Sequence, residues 1–409
     1  MRGTLAIPRR WLLRLVTALL STVFANASKA DNFTDFRIIS GSEAVVPASV
    51  ETGAVIVEVR INGRGPFPLM FDTGAENALT EETAAALGLK TEGTEAVLDS
   101  GGRKVSIAFT RLVTVNLGNA EMTNQRFGVL ALPQYLTDRG SRPRLAGFIG
   151  YGLLERFATG LNYQDGTLTL KPGSDFHYDG TGIRVPLTLA GKTPAVPGAA
   201  DGISGTFMVD TGSSGALTLR RGFVTDHGLD ARHPSALRIK SLGASGPFEA
   251  ILTRLDSFGL AESRIDRPAT RYASSETAGF PFTDVDGSIG YEILRQFVIT
   301  FDYPHRTLWF ERSGVFGTRT GQGSAGFQAI KIDGVGFNVT TVLPSTAAAE
   351  AGMQVGDVIT RIDGQSTKSM SLNEFAGLIR QPVGTEVHLS IIRDSVERPA
   401  ALTLKDVLP

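Results

Sequence analysis

The chain has no cysteine among its 409 residues. That excludes disulfides, thiolate nucleophiles, Cys-ligated zinc, iron–sulfur clusters and a lipid anchor on Cys. Histidine is scarce too: the five stand at 177, 227, 233, 305 and 388, and none lies in H-E-x-x-H. No metal site and no cofactor are expected from them. The sequence holds no G-x-S-x-G, so a serine hydrolase elbow has no support. A charge excess is missing as well, with Lys+Arg 40 against Asp+Glu 41. Electrostatic binding of nucleic acid is therefore not expected. What the chain does have is 42% hydrophobic residues, enough for a packed core, and 47 Gly with 19 Pro. Many turns and short strands follow, rather than a helical bundle.

Residues 1–30 have the layout of an export signal. Arg2, Arg9, Arg10 and Arg14 form a basic leader, and an uncharged, mostly apolar run follows from Leu15 to Ala25. Ala25-Asn26-Ala27 and Ser28-Lys29-Ala30 both fit a small-residue cleavage site. The apolar run is 11 residues long, well short of the roughly 20 that span a bilayer. The expectation is an exported, periplasmic or secreted chain with no integral membrane segment once the leader is removed. The remainder would carry a net charge of −6, since the leader holds five basic and no acidic residues.

The sequence repeats itself. DTGAENALT at 72–80 and DTGSSGALT at 210–218 share six of nine residues at an offset of 138. IGYGLLERFATGLNYQDGTLTL at 149–170 aligns with IGYEILRQFVITFDYPHRTLWF at 289–310 at an offset of 140, with eight of 22 positions identical. A period this long predicts two pseudo-symmetric lobes, 46–175 and 181–312, joined through the turn-rich 171–181. An approximate two-fold axis would relate the two DTG loops. Each lobe reads as mostly β. Short apolar runs, Pro66–Phe71 and Gly205–Val209, end at the DTG, so each Asp sits on a turn leaving a strand. A helix is predicted from Thr80 to a stop at Gly88, and another short one over Tyr151–Phe157 and again over Tyr291–Phe297.

One Asp at a strand end carries no chemistry by itself. Two, related by symmetry, are different. If the axis brings Asp72 and Asp210 together, both cannot ionise cheaply, and the pair shares one proton. One member is then a base and the other an acid at the same pH. Such a pair can deprotonate a water while protonating a carbonyl oxygen. Gly74 and Gly212 would permit the close turns. Thr73 and Thr211 carry hydroxyls able to bond across the lobes.

These paired motifs resemble aspartic proteases. DTGA followed by Glu76 and Asn77 is similar to the retroviral-type loop, and DTGSS at 210–214 to the pepsin-like one. Phe148-Ile149-Gly150 and Ser288-Ile289-Gly290 resemble the apolar–apolar–Gly element behind each catalytic loop, with Ser288 departing at the first position. The resemblance implies an all-β, two-lobed acid protease fold with pseudo-two-fold symmetry. It implies peptide-bond hydrolysis by Asp72 and Asp210, with Thr73, Gly74, Thr211 and Gly212 supporting the loops. One chain supplies both aspartates, so a monomer suffices. A pepsin-like flap tyrosine is missing between Glu92 and Thr114; instead each lobe has a Gly-containing hairpin, at Gly101-Gly102 and at Gly243. Substrate contacts are expected at Glu76, Asn77, Gly101, Gly102, Ser213 and Gly243.

After a Gly/Ser/Thr-rich linker at 313–326, residues 327–409 resemble a PDZ domain, a small α+β, barrel-like module. Gly334-Val335-Gly336-Phe337 is similar to its carboxylate-binding loop, STAAAEAGMQVGD at 345–357 to its helix and turn, and Leu372–Ile379 to its groove helix. The resemblance implies capture of protein C-termini, with Phe337, Val339, Leu372 and Phe375 lining an apolar groove. Two readings stay open: an exported aspartic endopeptidase acting on peptide or protein substrates, or an inactive protease-fold scaffold that binds peptides through its cleft and PDZ domain.

Overall fold

The computed structural model describes residues 35–98, 104–140, 142–234, 236–243, 246–274, 283–319, 323–406 and 408. The leader lies outside them. Among the described residues no helix is long and apolar enough to cross a membrane.

Strands dominate the described residues and lie in three sheets. In the first lobe, Ala54–Ile61 buries Val55, Val57, Val59 and Ile61, alternating with an exposed Glu58 and Arg60. Its neighbour Arg64–Phe71 runs straight to Asp72 and is parallel to Gly147–Ile149, with Phe71 opposite Ile149. Gly147–Ile149 is in turn antiparallel to Ala78–Thr80. The second lobe repeats this. Ile203–Val209 leads to Asp210 and is parallel to Gly287–Ile289, with Val209 opposite Ile289; Leu217–Leu219 closes the other side. Phe71 and Val209 are fully buried, anchoring the strand ends beneath the two Asp residues.

The lobes join through one antiparallel pair, Phe157–Asn162 with Phe297–Asp302. Its register carries the symmetry. Gly160 faces Thr300, its own repeat equivalent, while Thr159 faces Phe301 and Leu161 faces Ile299. Exchanging the two repeats leaves that register unchanged, which is what a local two-fold axis between them requires.

The predicted first helix spans Glu81–Leu87. The Thr80 side chain accepts from the Thr83 N–H, and Gly88 ends the helix at φ 69°. The other predicted helices are shorter than the sequence suggested. They stop at Leu154 and Leu294, because Phe157 and Phe297 are already core residues of the joining strands.

Residues from Phe327 onward form a separate six-stranded sheet with its own core, including Phe337, Val339, Ile359, Phe375 and Leu389. A helix at Leu372–Leu378 starts with a capping box between Ser371 and Glu374. This module sits on both lobes. A Cβ placed on Gly140 of the first lobe would fall 2.1 Å from the Glu374 carboxylate. On the second lobe, buried Arg254 holds Asp406 at 2.8 and 2.7 Å and donates to the Leu408 carbonyl at 3.0 Å. Arg319 pairs with the same carboxylate at 2.7 Å.

Candidate active site

Asp72 and Asp210 meet at the seam. A Cβ placed on Gly74 would stand 3.0 Å from Asp210 Oδ1 and 3.2 Å from Asp72 Oδ1, so the two oxygens are no farther apart than the sum of those distances. One bridging water spans such a gap within about two hydrogen bonds. A Cβ on Gly212 would lie 2.4 Å from Asp72 Oδ2. Glycine is thus required at 212 by the carboxylate of the other lobe. Each loop also tethers its own Asp: the Gly74 N–H donates to Asp72 Oδ1 at 2.8 Å, and the Gly212 N–H to Asp210 Oδ1 at 3.0 Å.

The threonines lock the loops to each other. Thr73 Oγ1 donates to the Val209 carbonyl at 2.6 Å and accepts from the Thr211 N–H at 3.0 Å. Thr211 Oγ1 does the mirror image, donating to Phe71 at 2.8 Å and accepting from the Thr73 N–H at 3.0 Å. Both side chains are buried. Thr73→Val would leave a buried carbonyl and a buried N–H without partners. A stability loss of about 1–3 kcal/mol is expected. Urea unfolding checks it, with Thr73→Ser recovering most of the loss.

Burial, and next the facing Asp210, push the Asp72 carboxyl up to about 7. Burial raises Asp210 too, against the Gly212 N–H, the Arg271 guanidinium and the Ser213 N–H, which favour its charged form. The pair is therefore arranged to hold one proton near neutral pH.

The other expected contacts divide. Glu76 is half-exposed beside the loop and pairs with Lys192 at 2.9 Å. Asn77, expected at the substrate, lies instead beneath the loop: it is buried and its Oδ1 accepts from the Gly150 N–H at 2.9 Å. Ser213 is largely buried, and its hydroxyl accepts from Arg271 at 3.3 Å. Gly243 pairs with Gly246 at the end of the second lobe's hairpin. Gly101 and Gly102 lie outside the described residues, between strands that pair Leu98 with Lys104.

The expected carboxylate loop of the C-terminal module needs correcting. Gly334 and Val335 form a tight turn, with the Val335 N–H returning to the Ile332 carbonyl at 3.0 Å. The strand that follows, Gly336–Val342, is interior, pairing with Phe327–Ile332 on one side and Val358–Ile362 on the other. Over Phe337–Val339, next to the turn, it has no edge to offer a peptide. Phe327–Ile332 is an edge strand, as Val396–Thr403 is at the other end of the sheet, and it is preceded by Gly326 at φ 80°. The expected groove residues do not line an open groove either. Phe337 and Phe375 stack at 4.0 Å, and both are buried with Val339 in the module core; Leu372 packs at its margin.

Sequence reading missed two features of the site. Arg271 sits beside the second loop. Tyr163 and Tyr303, equivalent in the repeat, are buried with hydroxyls that have no partner among the described residues. Their rings pack across the seam against Tyr291 and Tyr151. Their identity in both repeats was a signal; Arg271 offered none.

Residues 57–152 match the aspartyl protease family and residues 339–393 match the PDZ domain. The chain thus carries an aspartyl protease-like domain followed by a PDZ domain. It is 36% identical over 97 residues to the periplasmic serine endoprotease DegP of Escherichia coli K12, covering 22% of this chain and 19% of that one. It is 35% identical over 73 residues to a carboxy-terminal-processing protease of Bartonella bacilliformis, covering 18% of this chain and 17% of that one. The matches therefore span under a fifth of those relatives' length. An aspartic proteinase from Irpex lacteus aligns with 66% of this chain and 98% of its own at 14% identity and a TM-score of 0.44.

Proposed function

We propose that the protein is an exported aspartic endopeptidase, built of a leader at 1–30, lobes at 46–175 and 181–312, a linker at 313–326 and a PDZ module at 327–409. The observation that carries the reading is the approach of Asp72 and Asp210 across the Thr73–Thr211 lock. One carboxylate takes a proton from water. The resulting hydroxide adds to the peptide carbonyl carbon, while the other carboxyl protonates the carbonyl oxygen. Collapse of the tetrahedral intermediate then needs a proton on the leaving nitrogen, which the first carboxyl returns. The raised Asp72 suits it to hold a proton near neutral pH.

Export is supported by the leader's layout, and a relative named as periplasmic is consistent with it. In the PDZ module, a substrate or partner terminus adds as a strand along the free edge of Phe327–Ile332.

The test is a cleavage profile of a peptide library by mass spectrometry between pH 3 and 8. Internal cleavage lost in Asp72→Asn is the expected result. No cleavage of any peptide by the intact chain would overturn it and leave the binding scaffold.

A further inference from the structure

The two-fold symmetry of the site is broken at one place by charge. Thr80 pairs with Leu130 in the first lobe, and its equivalent Thr218 pairs with Arg271 in the second. An apolar residue in one lobe is therefore a cation in the other. The loop residue beside it changes in step, from Ala75 to Ser213. Arg271 Nε donates to Thr218 Oγ1 at 2.9 Å and its Nη2 donates to Ser213 Oγ at 3.3 Å. Its guanidinium carbon is 4.0 Å from where a Cβ on Gly215 would stand. Ser213 is bonded through its N–H to the Asp210 carbonyl at 3.2 Å. The guanidinium is thus built into the Asp210 loop, whereas the cation beside the Asp72 loop, Lys192, is paired with Glu76.

We infer that Arg271 decides which carboxyl of the pair carries the charge: it holds Asp210 as the ionised, water-activating member and leaves Asp72 as the proton donor. The assignment rests on the hydrolase reading for its chemistry. Water gives its proton to the Asp210 carboxylate and its oxygen to the carbonyl carbon; the Asp72 proton goes to the carbonyl oxygen. The C–N bond then breaks as Asp210 passes its proton to the nitrogen, and Asp72 regains one from the gem-diol as the new carboxyl forms. No proton is gained or lost over the cycle.

The other charged and titratable groups around the pair do not supply this bias. Asp210 faces Asp72 directly and acts on it as a like charge, raising it. Tyr163 and Tyr303 approach Asp210 and Asp72 respectively, one to each, and so cancel across the axis. Glu292 and the PDZ module's Arg380 act on Arg271 with opposite signs. Lys192 lies beside the Asp72 loop, but it is paired with Glu76 at 2.9 Å; among the described residues Arg271 is the cation that acts on one of the two aspartates.

Arg271 is a positioning residue, so its test must read more than activity. Protein labelled with 13C at the Asp carboxyl carbons is titrated by NMR, with Asp72→Asn and Asp210→Asn assigning the two signals. In the native chain Asp210 is expected to ionise first. Arg271→Gln keeps hydrogen bonding to Ser213 and Thr218 but loses the charge. It should move the Asp210 titration up by about one pH unit or more, and the acid limb of kcat/KM with it. Arg271→Lys should restore most of that shift. An unchanged Asp210 titration in Arg271→Gln, or Asp72 ionising first in the native chain, overturns the inference. Should Arg271→Gln fail to fold, native and Arg271→Lys titrations still decide the order of ionisation. A native chain that cleaves nothing counts against the hydrolase reading, while the carboxyl titration still judges Arg271.

Discussion

Asp72→Asn and Asp210→Asn are each expected to lower kcat/KM on a cleavable peptide by about ten-thousand-fold or more, with little change in folding. The carboxyls act as a unit, since the base has no use without an acid at the carbonyl oxygen. An amide at either position keeps the size and the Gly74 or Gly212 hydrogen bond but cannot carry the proton. The double variant should therefore lose little beyond either single one. Additive losses, each modest, would mean that the two residues do not share one step. The measurement is a progress curve on a peptide from the cleavage profile, with circular dichroism to establish that the fold persists.

The second large effect lies away from the chemistry. Arg254→Met is expected to cost about 1–3 kcal/mol, because it removes the buried partner of Asp406 and of the Leu408 carbonyl and leaves the carboxylate to the exposed Arg319. The Arg254 side chain is 4% exposed and that of Asp406 is 15% exposed. The pair fixes the end of the chain to the second lobe, while Glu374 rests on Gly140 of the first. Losing it should loosen the PDZ module more than it unfolds the lobes. Limited proteolysis is expected to release a fragment cut near the 313–326 linker much faster than from the native chain. Arg319 still faces Asp406, so Arg254→Lys should recover part of the docking. Equal resistance of native chain and Arg254→Met would contradict the latch.

Much of this site was legible in the sequence because it is written twice. The DTG pair, the apolar strands before it and the IGY segments behind it repeat at nearly constant offsets, and symmetry then brings repeated residues together. The first helix was legible for a local reason, a Thr80 cap and a Gly88 stop. What was not legible depends on strand order or on distant partners. Gly334–Phe337 has the glycines of a binding loop, but a turn of that composition also closes a plain hairpin. Only the pairing of Gly336–Val342 on both sides identifies it as interior. Arg254 and Asp406 stand 152 residues apart, with no pattern between them. Arg271 was invisible because the repeat has Leu130 in its place. Asn77 was misplaced because its position beside the DTG says nothing about the direction of its side chain, which turns inward to Gly150.

The central claim is that two facing carboxyls hold one proton between them, and it has a consequence independent of any substrate. Asp72 is raised from 3.8 to about 7 in the folded chain. A carboxyl raised on folding stabilises the fold fully below its unfolded value and loses that contribution as pH rises through the folded one. Urea unfolding of the native chain and of Asp72→Asn, run side by side from pH 4 to pH 9, isolates this term as a difference. Asp72→Asn should gain on the native chain steadily between about pH 4 and pH 7, reaching an advantage on the order of 1–3 kcal/mol at pH 8. A stability difference that stays constant across that range would contradict the account, because it would mean that burial and the facing Asp210 do not raise the Asp72 carboxyl on folding.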